Sequence, residues 1–495
     1  MSTPPGDNDP IVKDPTWMGY VRGIFTELDK EHMKAVANID LATYDGVRTH
    51  ATDIYVQTSS GNMPPGGPAW SANREKNFLT WILDKFPIGT ALPQTAPPQA
   101  KALAPNVRLR KNVTALGSDE IALLSKAFQG VMARAPADPN GYYKLAAIHG
   151  LPYAYCMHHV QPYNPWHRYY VTLFENALRS VPGCESVTLP YWDITSTSVP
   201  AVLSQPPFNT YTVPAGAPDF PPGFYPLPYA TQRSSDADIL QNLQQYGVTS
   251  LVQEALGASR FGSYDADPTP GFQQPIIYAH DSAHDSVGPT MSDQNVAAFD
   301  PIFWFFHCNW ERLFLSWQTL VGGTTLSGFK STLDGDVEWL DLALDPWQAT
   351  SAGVVAEPDI AYDQLATGGV EALHDKRGSI ESVRSFTIAP SSRVSVRVKN
   401  INRMNIPGTF IVKLLADGHE IARQAFFQPR TPQTCATCMK VPLVPIDFRV
   451  DLSQVQGHKL SVAIEVPQLA ELGKTFPLKQ AGSPTINARL LLEEA

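Results

Sequence analysis

The chain has 495 residues, 43% of them hydrophobic and 10% aromatic, with a formal net charge of −10. This length provides for two to three domains with cores of their own, and the composition excludes a chain that is disordered throughout. The acidic balance disfavours nucleic acid and anionic membrane surfaces as partners, and no apolar run approaches the roughly 18 residues of a membrane span.

Residues 1–104 are predicted to form a helical extension followed by a linker. The segment from Met1 to Lys13 is polar and lacks the pattern of a signal peptide, so a cytoplasmic location is expected. Helices are predicted from Trp17 to Ala35 and from Ala72 to Lys85, and the Pro- and Ala-rich segment from Ala91 to Ala104 is typical of a linker. The helices carry large apolar residues at positions expected to be exposed: Trp17, Phe25, Trp70, Phe78 and Trp81. These positions predict either the interface of a homo-oligomer, which we favour, or packing onto the core.

Residues 105–367 are predicted to be mainly helical, with long Pro-rich loops. Capping residues and first-turn prolines predict three helices: Asp119 to Arg134 after Ser118 as N-cap, Pro165 to Ser180, and Ile302 to Leu320 after Asp300 and Pro301. Loops such as Pro200 to Pro228 connect them.

Residues 368–495 are predicted to form a β-sandwich-like domain. From Arg393 to Lys399 every second residue is Val, which places the apolar side chains on one face of a strand. Three further segments repeat this alternation at a spacing typical of a sandwich: Thr409 to Leu415, Phe448 to Leu452 and Leu460 to Val466.

Histidines are concentrated in two short windows. The chain has 12 histidines, yet four lie within residues 149–167 and three within residues 280–307, where the composition alone predicts fewer than one in each. His280 and His284 are four residues apart, which on a helix places both imidazoles on one face. His307 lies in an apolar helix, where an imidazole without a partner would be costly.

Each of these features has a simpler interpretation when taken alone. A pair of histidines four residues apart is common on solvated helices, and a single buried histidine is more often a hydrogen-bonded core residue. Two triplets in separate helical segments are not explained in this way, so they indicate metal binding. Imidazole ligands without a carboxylate suit copper, zinc, iron or nickel and disfavour the carboxylate-containing iron sites.

The residues around these histidines resemble the two copper-binding signatures of type 3 copper proteins: tyrosinases, catechol oxidases and molluscan-type haemocyanins. The first signature is carried by His149-Gly150-Leu151-Pro152, Tyr155-Cys156-Met157-His158 and Trp166-His167-Arg168, and the second by His280-x-x-x-His284 and by Asp300-Pro301-Ile302-Phe303 before His307-Cys308-Asn309. The resemblance covers about residues 105–367. It implies a four-helix-bundle core with two copper ions, dioxygen as co-substrate and a small phenolic substrate.

The resemblance also implies which residues hold and surround the metals. The CuA ligands would be His149, His158 and His167, and the CuB ligands His280, His284 and His307, which leaves His159 as a structural residue. Cys156 matches the position that is joined to the histidine through a thioether in fungal tyrosinases and molluscan haemocyanins, with a small buried thiol as the alternative. Phe303 is a candidate for the apolar shell that excludes water from the metals.

Three residues beside the ligands are candidates for a catalytic role. Asp281 stands where strong monophenolases often have Asn, and we expect it to accept a proton from a phenol, with capping of its helix as the alternative. Asp285 is expected to select substrates at the entrance, or else to be a solvated side chain. Asn309 lies two residues after His307 in the matching motif and is the third candidate for a catalytic role on that ground.

The β domain is similar to the C-terminal domain of tyrosinase proenzymes, which places an aromatic side chain over the coppers and in some cases carries a CxxC used in copper loading. Phe426 and Phe427 are the candidates for the shielding aromatic. Cys435 and Cys438 form a CxxC that predicts a Cu(I) relay, with a turn carrying two thiols as the alternative. The five cysteines, an odd number, do not suit a disulfide scaffold.

The resemblance therefore implies a latent tyrosinase that oxidises monophenols and o-diphenols to o-quinones, the chemistry of melanin formation. A catechol oxidase without monophenolase activity, a haemocyanin-like oxygen carrier and a zinc hydrolase are the alternatives. The single copy of the site and the expected location disfavour the oxygen carrier, and a hydrolase leaves the match of six ligands unexplained.

Overall fold

The computed structural model describes residues 12–18, 20–25, 27–59, 70–89, 107–221, 224–264, 271–333, 335, 337–356, 359–367, 390–470 and 473–492. The chain forms two compact units, residues 1–106 with 318–333 and residues 107–317 with 334–495. The helical core and the C-terminal β region thus belong to one unit. Both predicted linkers, Ala91 to Ala104 and the segment after residue 367, lie outside the described residues, so the predicted domain boundaries stay a prediction.

The first unit is built from short helices. Its described helices are Glu27–Ala37, Tyr44–Thr49, Ala51–Ser59, Ala72–Leu83 and Leu326–Lys330, and a 3-10 turn spans Val21–Gly23. The predicted helix from Trp17 to Ala35 is therefore replaced by a turn and a later helix, whereas the helix predicted from Ala72 is present.

The apolar residues of the extension are not exposed. Trp17, Phe25, Trp70, Phe78 and Trp81 are all at most 7% exposed and form one cluster within this unit. Their rings pack edge to face or tilted against one another, for example Trp70 on Phe78 at 5.4 Å between centroids. The prediction that they form an oligomer interface is wrong, because burial against one another removes this apolar surface from water.

The second unit contains the longer helices. They are Ser118–Met132, Tyr142–Gly150, Tyr163–Arg179, Asp236–Gln245, Val248–Leu256, Gln273–Val287, Ile302–Val321 and the short Ser351–Val354. The 3-10 turns are Val113–Ala115, Ala201–Ser204, Ala297–Phe299 and Glu338–Asp341. No helix of the described residues is both long and apolar enough to span a bilayer.

Local signals explain two helix starts. The Asp300 carboxylate accepts a hydrogen bond from the backbone N–H of Ile302 at 3.1 Å, as its predicted capping role requires. Ser118 is not the N-cap, because Gly117 occupies that position. The carboxylate of Glu120 accepts a hydrogen bond from the backbone N–H of Gly117 at 3.0 Å.

A buried ion-pair network ties the core helices together. Arg110 pairs with Glu175 at 3.1 Å and with Glu311 at 3.2 Å, and Arg168 pairs with Glu311 at 2.8 Å. Glu175 and Glu311 belong to the helices Tyr163–Arg179 and Ile302–Val321, which both carry predicted metal ligands. Loss of one partner would leave a buried charge uncompensated, so the network fixes the relative position of the two helices.

The C-terminal region contains two three-stranded antiparallel sheets. The strand order is Thr485–Leu492, Pro390–Asn402, Leu443–Asp451 in the first sheet and His419–Phe426, Phe410–Ala416, Leu460–Glu465 in the second. Val394, Val396 and Val398 are buried on one face as their alternation predicts. Short helical turns lie at Ala436–Lys440, Leu452–Val455 and Pro467–Ala470. The predicted mainly helical core with a C-terminal sandwich-like region is confirmed; we call residues 390–492 the lid.

Two small sheets complete the described core. Arg108–Arg110 pairs in parallel with Ile360–Tyr362, and Thr212–Val213 pairs in antiparallel fashion with Tyr229–Ala230. The first sheet thus joins the two ends of the predicted copper-binding segment.

Candidate metal centre

Four helices and one turn bring the six predicted ligands together. His149 lies at the end of the helix Tyr142–Gly150, and His158 lies in the turn that follows. The other four lie on the helices Tyr163–Arg179, Gln273–Val287 and Ile302–Val321: His167, His280, His284 and His307. We call these six residues the histidine cluster, and all of them are at most 3% exposed.

The two predicted triplets adjoin each other. The ring of His158 lies 5.1 Å from that of His280, and the ring of His167 stacks on His307 at 4.7 Å. The Nε2 atoms of His284 and His307 are 3.3 Å apart. Such an approach of imidazole nitrogens from different helices is the geometry that a metal bridging them requires.

Hydrogen bonds at the second ring nitrogen orient most of the cluster. The Nδ1 atoms of His149, His167 and His284 donate to backbone carbonyls of Gln294, Tyr163 and Met291 at 2.8–3.0 Å, and Nδ1 of His280 donates to Asp281 at 2.9 Å. Metal-binding histidines typically donate their other N–H in this way, which fixes the tautomer and leaves Nε2 for the metal.

The cluster leaves buried ring nitrogens without hydrogen-bond partners. These are Nε2 of His149, His167 and His280, both nitrogens of His158, and Nδ1 of His307. Buried polar atoms are normally satisfied, so a set converging on one place fits metal ions as the missing partners. Within the part of the chain that the structure describes, three groups have ligand atoms within 4.8 Å of one another: His149, His167 and His307; His280, His284 and His307; and His149, Cys156 and His158. His307 thus belongs to two groups, and the assignment of ligands to CuA and CuB stays a prediction.

The electrostatics of the cluster favour neutral imidazoles. Burial lowers the pKa of all six below the ordinary value of 6.5, to about 3 for His149. Neutral imidazole is the form that binds metal. A cluster that is neutral before metal arrives therefore has its ligands ready.

Acid is expected to destabilise the metal-free chain and to release metal. Between about pH 3 and pH 6.5 the unfolded chain binds more protons at these histidines than the folded chain, so the free energy of unfolding falls as the pH is lowered through this range. Melting temperatures of the metal-free chain from pH 7 to pH 4, and copper content after dialysis over the same range, measure the effect. His149→Phe should show a shallower pH dependence of Tm; an identical slope would contradict this explanation.

An apolar shell surrounds the cluster, as predicted for Phe303. Its ring lies 4.1 Å from the ring of His307 and 4.9 Å from that of His149, and Phe306 lies 4.6 Å from His284. All these side chains are fully buried, so they keep water away from the metal-binding nitrogens.

Cys156 lies beside the cluster as a free, buried thiol. Its sulfur lies within 4.8 Å of ring nitrogens of His149 and His158, and the side-chain N–H of Gln294 donates to it at 2.8 Å. Burial raises the pKa of the thiol, which therefore stays protonated. The proximity is compatible with the thioether, which stays a prediction.

Asp281 is fully buried and connects the cluster to the lid. Its Oδ1 accepts from Nδ1 of His280 at 2.9 Å, and its Oδ2 is 2.7 Å from Nε2 of His159 and 3.0 Å from the backbone N–H of Phe427. Burial raises its pKa, while the Phe427 N–H and the charge of Arg403 oppose that rise. Asp281 lies in the middle of the helix Gln273–Val287, so the alternative of helix capping is wrong.

The other two catalytic candidates have partners away from the metal-binding nitrogens. Asp285 is half-buried rather than solvated, and its Oδ2 accepts from the hydroxyl of Tyr246 at 2.7 Å. Asn309 is buried, and its Oδ1 accepts from Nη1 of Arg312 at 3.0 Å. Asn309 therefore positions Arg312, and its predicted catalytic role finds no support in these contacts.

Phe427 is the aromatic side chain that covers the cluster. Its ring stacks on His284 with 4.0 Å between centroids and 15° between planes, and it lies 5.3 Å from His158 and 5.9 Å from His280. Phe426 points elsewhere and stacks on the spare histidine, His159, at 4.0 Å. Of the two candidates, only Phe427 occupies the space beside the metal-binding nitrogens.

The two cysteines of the CxxC are joined. Cys435 and Cys438 form a disulfide and are both 1% exposed, with Nη2 of Arg403 3.0 Å from the sulfur of Cys438. The prediction of two thiols is therefore wrong for this state. A Cu(I) relay at this place would require reduction first, because the thiolate is the metal ligand.

Sequence reasoning missed the groups that orient the cluster. The acceptors for His149, His167 and His284 are main-chain carbonyls, which have no side-chain signal. Arg403 was also missed: it is buried in the lid, its charge acts on Asp281, and its guanidinium lies 4.7 Å from the ring of Phe426. Its isolated position in the sequence gave no reason to single it out.

The comparisons with known proteins agree with this geometry. Residues 139–320 match the family model described as the common central domain of tyrosinase, and they contain the whole histidine cluster. The chain is 29% identical to Hemocyanin 1 of Megathura crenulata over 249 residues, and 26% identical to a tyrosinase of Podospora anserina over 349 residues. These matches cover 46% and 53% of this chain but only 7% and 60% of those relatives.

A solved structure shares the fold. The tyrosinase from Burkholderia thailandensis superimposes with a TM-score of 0.57 and 21% identity over 77% of this chain and 100% of that chain. Residues 139–320, which contain the histidine cluster, therefore match the tyrosinase central domain, and the fold resembles that of a solved tyrosinase.

Proposed function

We propose that this protein is a tyrosinase, which oxidises monophenols and o-diphenols to o-quinones with dioxygen and is latent until the lid moves away. The observation that carries the proposal is the ring of Phe427 on His284, at 4.0 Å and 15°. A site that holds an aromatic ring flat against one of its histidines has the shape that a phenol needs. The same ring excludes a phenol while the lid is in place.

The residues of the chain divide the work around the metals. The cluster would hold two copper ions, which supply the electrons for dioxygen chemistry when bound. Phe303 and Phe306 exclude water, and Asp281 fixes the orientation of His280 through Nδ1. When Phe427 leaves, the Oδ2 atom of Asp281 loses one N–H donor, so this oxygen becomes available to accept the proton of an incoming phenol.

Contacts on both sides of Phe427 hold the lid on the core. The side-chain amide of Gln424 donates to the carbonyl of Tyr278 and to Ser282, both at 2.9 Å. Arg430 pairs with Asp293 at 2.6 Å, and Arg449 pairs with Glu254 at 2.7 Å. Acid, detergent or proteolysis in the segment after residue 367 is expected to weaken these contacts and raise the activity.

Asp281→Asn is expected to separate the two activities. The Asn side-chain oxygen can still accept from His280, so the ligand keeps its orientation, but the variant has no carboxylate base. We expect kcat/KM for a monophenol to fall about 10²-fold, which is a typical contribution of a general base. We expect kcat/KM for a catechol to fall less than about tenfold, because the site can oxidise a catechol without this proton transfer. Steady-state kinetics on activated enzyme measure both.

Asp285→Asn is the matched control, because the Asp285 carboxylate is held by Tyr246. It should affect monophenol and catechol alike. If Asp281→Asn also lowers both to the same extent, Asp281 orients His280 without acting as a base.

Two alternatives remain within the family. A catechol oxidase would show no monophenol oxidation in the same assay. An oxygen carrier is favoured by the similarity to Hemocyanin 1, and it would bind dioxygen reversibly without consuming it. Metal analysis followed by oxygen uptake with a catechol, before and after detergent, distinguishes an oxidase from both a carrier and a zinc protein. The cytoplasmic location stays a prediction that cell fractionation would test.

A further inference from the structure

The lid covers the core with a pattern of paired charges. Arg430 pairs with Asp293 and Arg449 with Glu254, at 2.6 and 2.7 Å. In each pair the carboxylate belongs to the core and the guanidinium to the lid. Removal of the lid therefore leaves carboxylates on the core without their cationic partners.

One of these pairs lies three residues from the ring that covers the cluster. Phe427 and Arg430 are the two ends of the segment Phe427-Gln428-Pro429-Arg430, which contains no helix. Three residues of extended chain span at most about 10 Å, so the guanidinium and the ring are presented to the core together. The ring of Phe427 occupies the place proposed for the phenol. The guanidinium of Arg430 makes a second contact with the core, at a fixed distance along the chain from that ring.

The core holds this guanidinium by more than one contact. Its Nε donates to Oδ2 of Asp293, which also accepts from the hydroxyl of Tyr225 at 2.7 Å. The guanidinium carbon lies 4.8 Å from the ring centroid of Tyr225 and 5.9 Å from that of Phe224. A carboxylate with two aromatic rings is a general arrangement for binding a cation.

The core also binds the backbone of the segment at both ends. The N–H of Phe427 donates to Asp281 at 3.0 Å, and the N–H of Arg430 donates to Oδ1 of Asn295 at 2.8 Å. Asn295 is itself held by the carbonyl of Gly150, next to His149. The covered surface therefore recognises a ring, a peptide N–H group at Asn295 and a cation, in the order of a short peptide, and the opened enzyme keeps Asp281 for the phenol proton.

We propose that Asp293 and Tyr225 form a cation subsite in the opened enzyme, with Asn295 beside it as the acceptor for a peptide N–H. Its preferred substrates are then peptidyl tyrosines with Arg or Lys three residues after the tyrosine. The segment 427–430 of the lid occupies this site as an internal substitute for such a peptide. The inference rests on the proposed function. One dioxygen is consumed per tyrosine: one oxygen atom becomes the second carbonyl of the o-quinone, and the other leaves as water with the two hydrogens that the phenol loses.

Binding of a peptide that cannot be oxidised tests the subsite apart from the chemistry. The probes are labelled acetyl-Phe-Gln-Pro-Arg-amide and its Glu counterpart, added to the detergent-activated full chain and followed by fluorescence anisotropy. We expect the Arg peptide to bind about tenfold more tightly, and we expect this preference to disappear in Asp293→Asn. Glu254→Gln is the matched control: it also removes a core carboxylate that pairs with the lid, and it should keep the preference.

Oxidation of matched tyrosine peptides gives the second measurement. The ratio of kcat/KM for Tyr-Gln-Pro-Arg over Tyr-Gln-Pro-Glu should be about ten in the wild type and in Glu254→Gln, and near one in Asp293→Asn. Tyr-Arg-Pro-Gln, with its cation in the wrong place, should lose the advantage. Tyramine should gain none over p-cresol, because its ammonium group is too close to the ring to reach Asp293.

The outcomes separate the two proposals. No charge preference in binding, or a preference that Asp293→Asn retains, would overturn the subsite. A preference for tyramine but not for the Arg peptide would overturn the peptide as its ligand. Selective binding of the Arg peptide without oxidation of any phenol would reject the proposed function and leave the subsite standing.

Discussion

Replacement of His307 by Gln is expected to remove copper from both sites and abolish phenol oxidation. Its imidazole belongs both to the group with His149 and His167 and to the group with His280 and His284. Loss of a residue that merely supports a metal ligand costs about 10–100-fold in affinity or activity, and loss of the ligand itself should cost more. Metal analysis of the purified variant and oxygen uptake with a catechol measure the two effects.

His159→Gln is the matched control for this experiment. His159 is as deeply buried as the cluster and lies beside it, yet its Nε2 bonds to Asp281 and its ring faces Phe426. We expect His159→Gln to keep close to two coppers per chain. If the two variants lost copper equally, burial of a histidine in this region rather than ligation would explain the loss.

Phe427→Ala is expected to make the full chain active without an activator. The ring is fully buried against His284, His158 and His280, and truncation of a buried Phe to Ala costs about 3–5 kcal/mol. Part of that cost destabilises only the closed state of the lid, so the equilibrium shifts towards the open state. Each 1.4 kcal/mol changes this equilibrium by a factor of ten, so catechol oxidation without an activator should rise at least about tenfold. The ratio of activity without detergent to activity with detergent measures this latency.

Phe410→Ala separates shielding from a general loosening of the lid. Phe410 is also fully buried, but its ring stacks on Phe426 at 4.9 Å, and the variant leaves Phe427 in place. It should lower the melting temperature and stay mostly latent. Equal activation by the two variants would show that lid stability, rather than the ring over the cluster, controls access.

Much of the site was predictable because its signals are local. The density of histidines, the spacing of His280 and His284, and the flanking motifs all lie within short segments of the sequence. The alternation of Val394, Val396 and Val398 predicted the strand for the same reason. Side-chain periodicity along one element is a property of that element and needs no knowledge of its neighbours.

Other features depended on which surfaces meet. The aromatic residues of the extension, such as Trp70 and Phe78, looked exposed because the sequence does not show that they pack against each other. The disulfide between Cys435 and Cys438 was missed because a CxxC can hold thiols, a metal or a disulfide. The pairing of Arg430 with Asp293 joins residues 137 positions apart, a distance across which no local pattern operates.

The amino-acid sequence by itself determined the candidate metal ligands and the fold class of this protein: six histidines in two triplets, a helical core to carry them and a β domain after it. The tertiary structure decided which aromatic side chain covers the cluster. Phe426 and Phe427 are neighbours in an extended segment, so their side chains point in opposite directions, and only the docking of the lid places Phe427 on His284 and Phe426 on His159. The tertiary structure also placed Asp281 between the lid and His280, because a carboxylate acquires its partners only when both elements have packed around it.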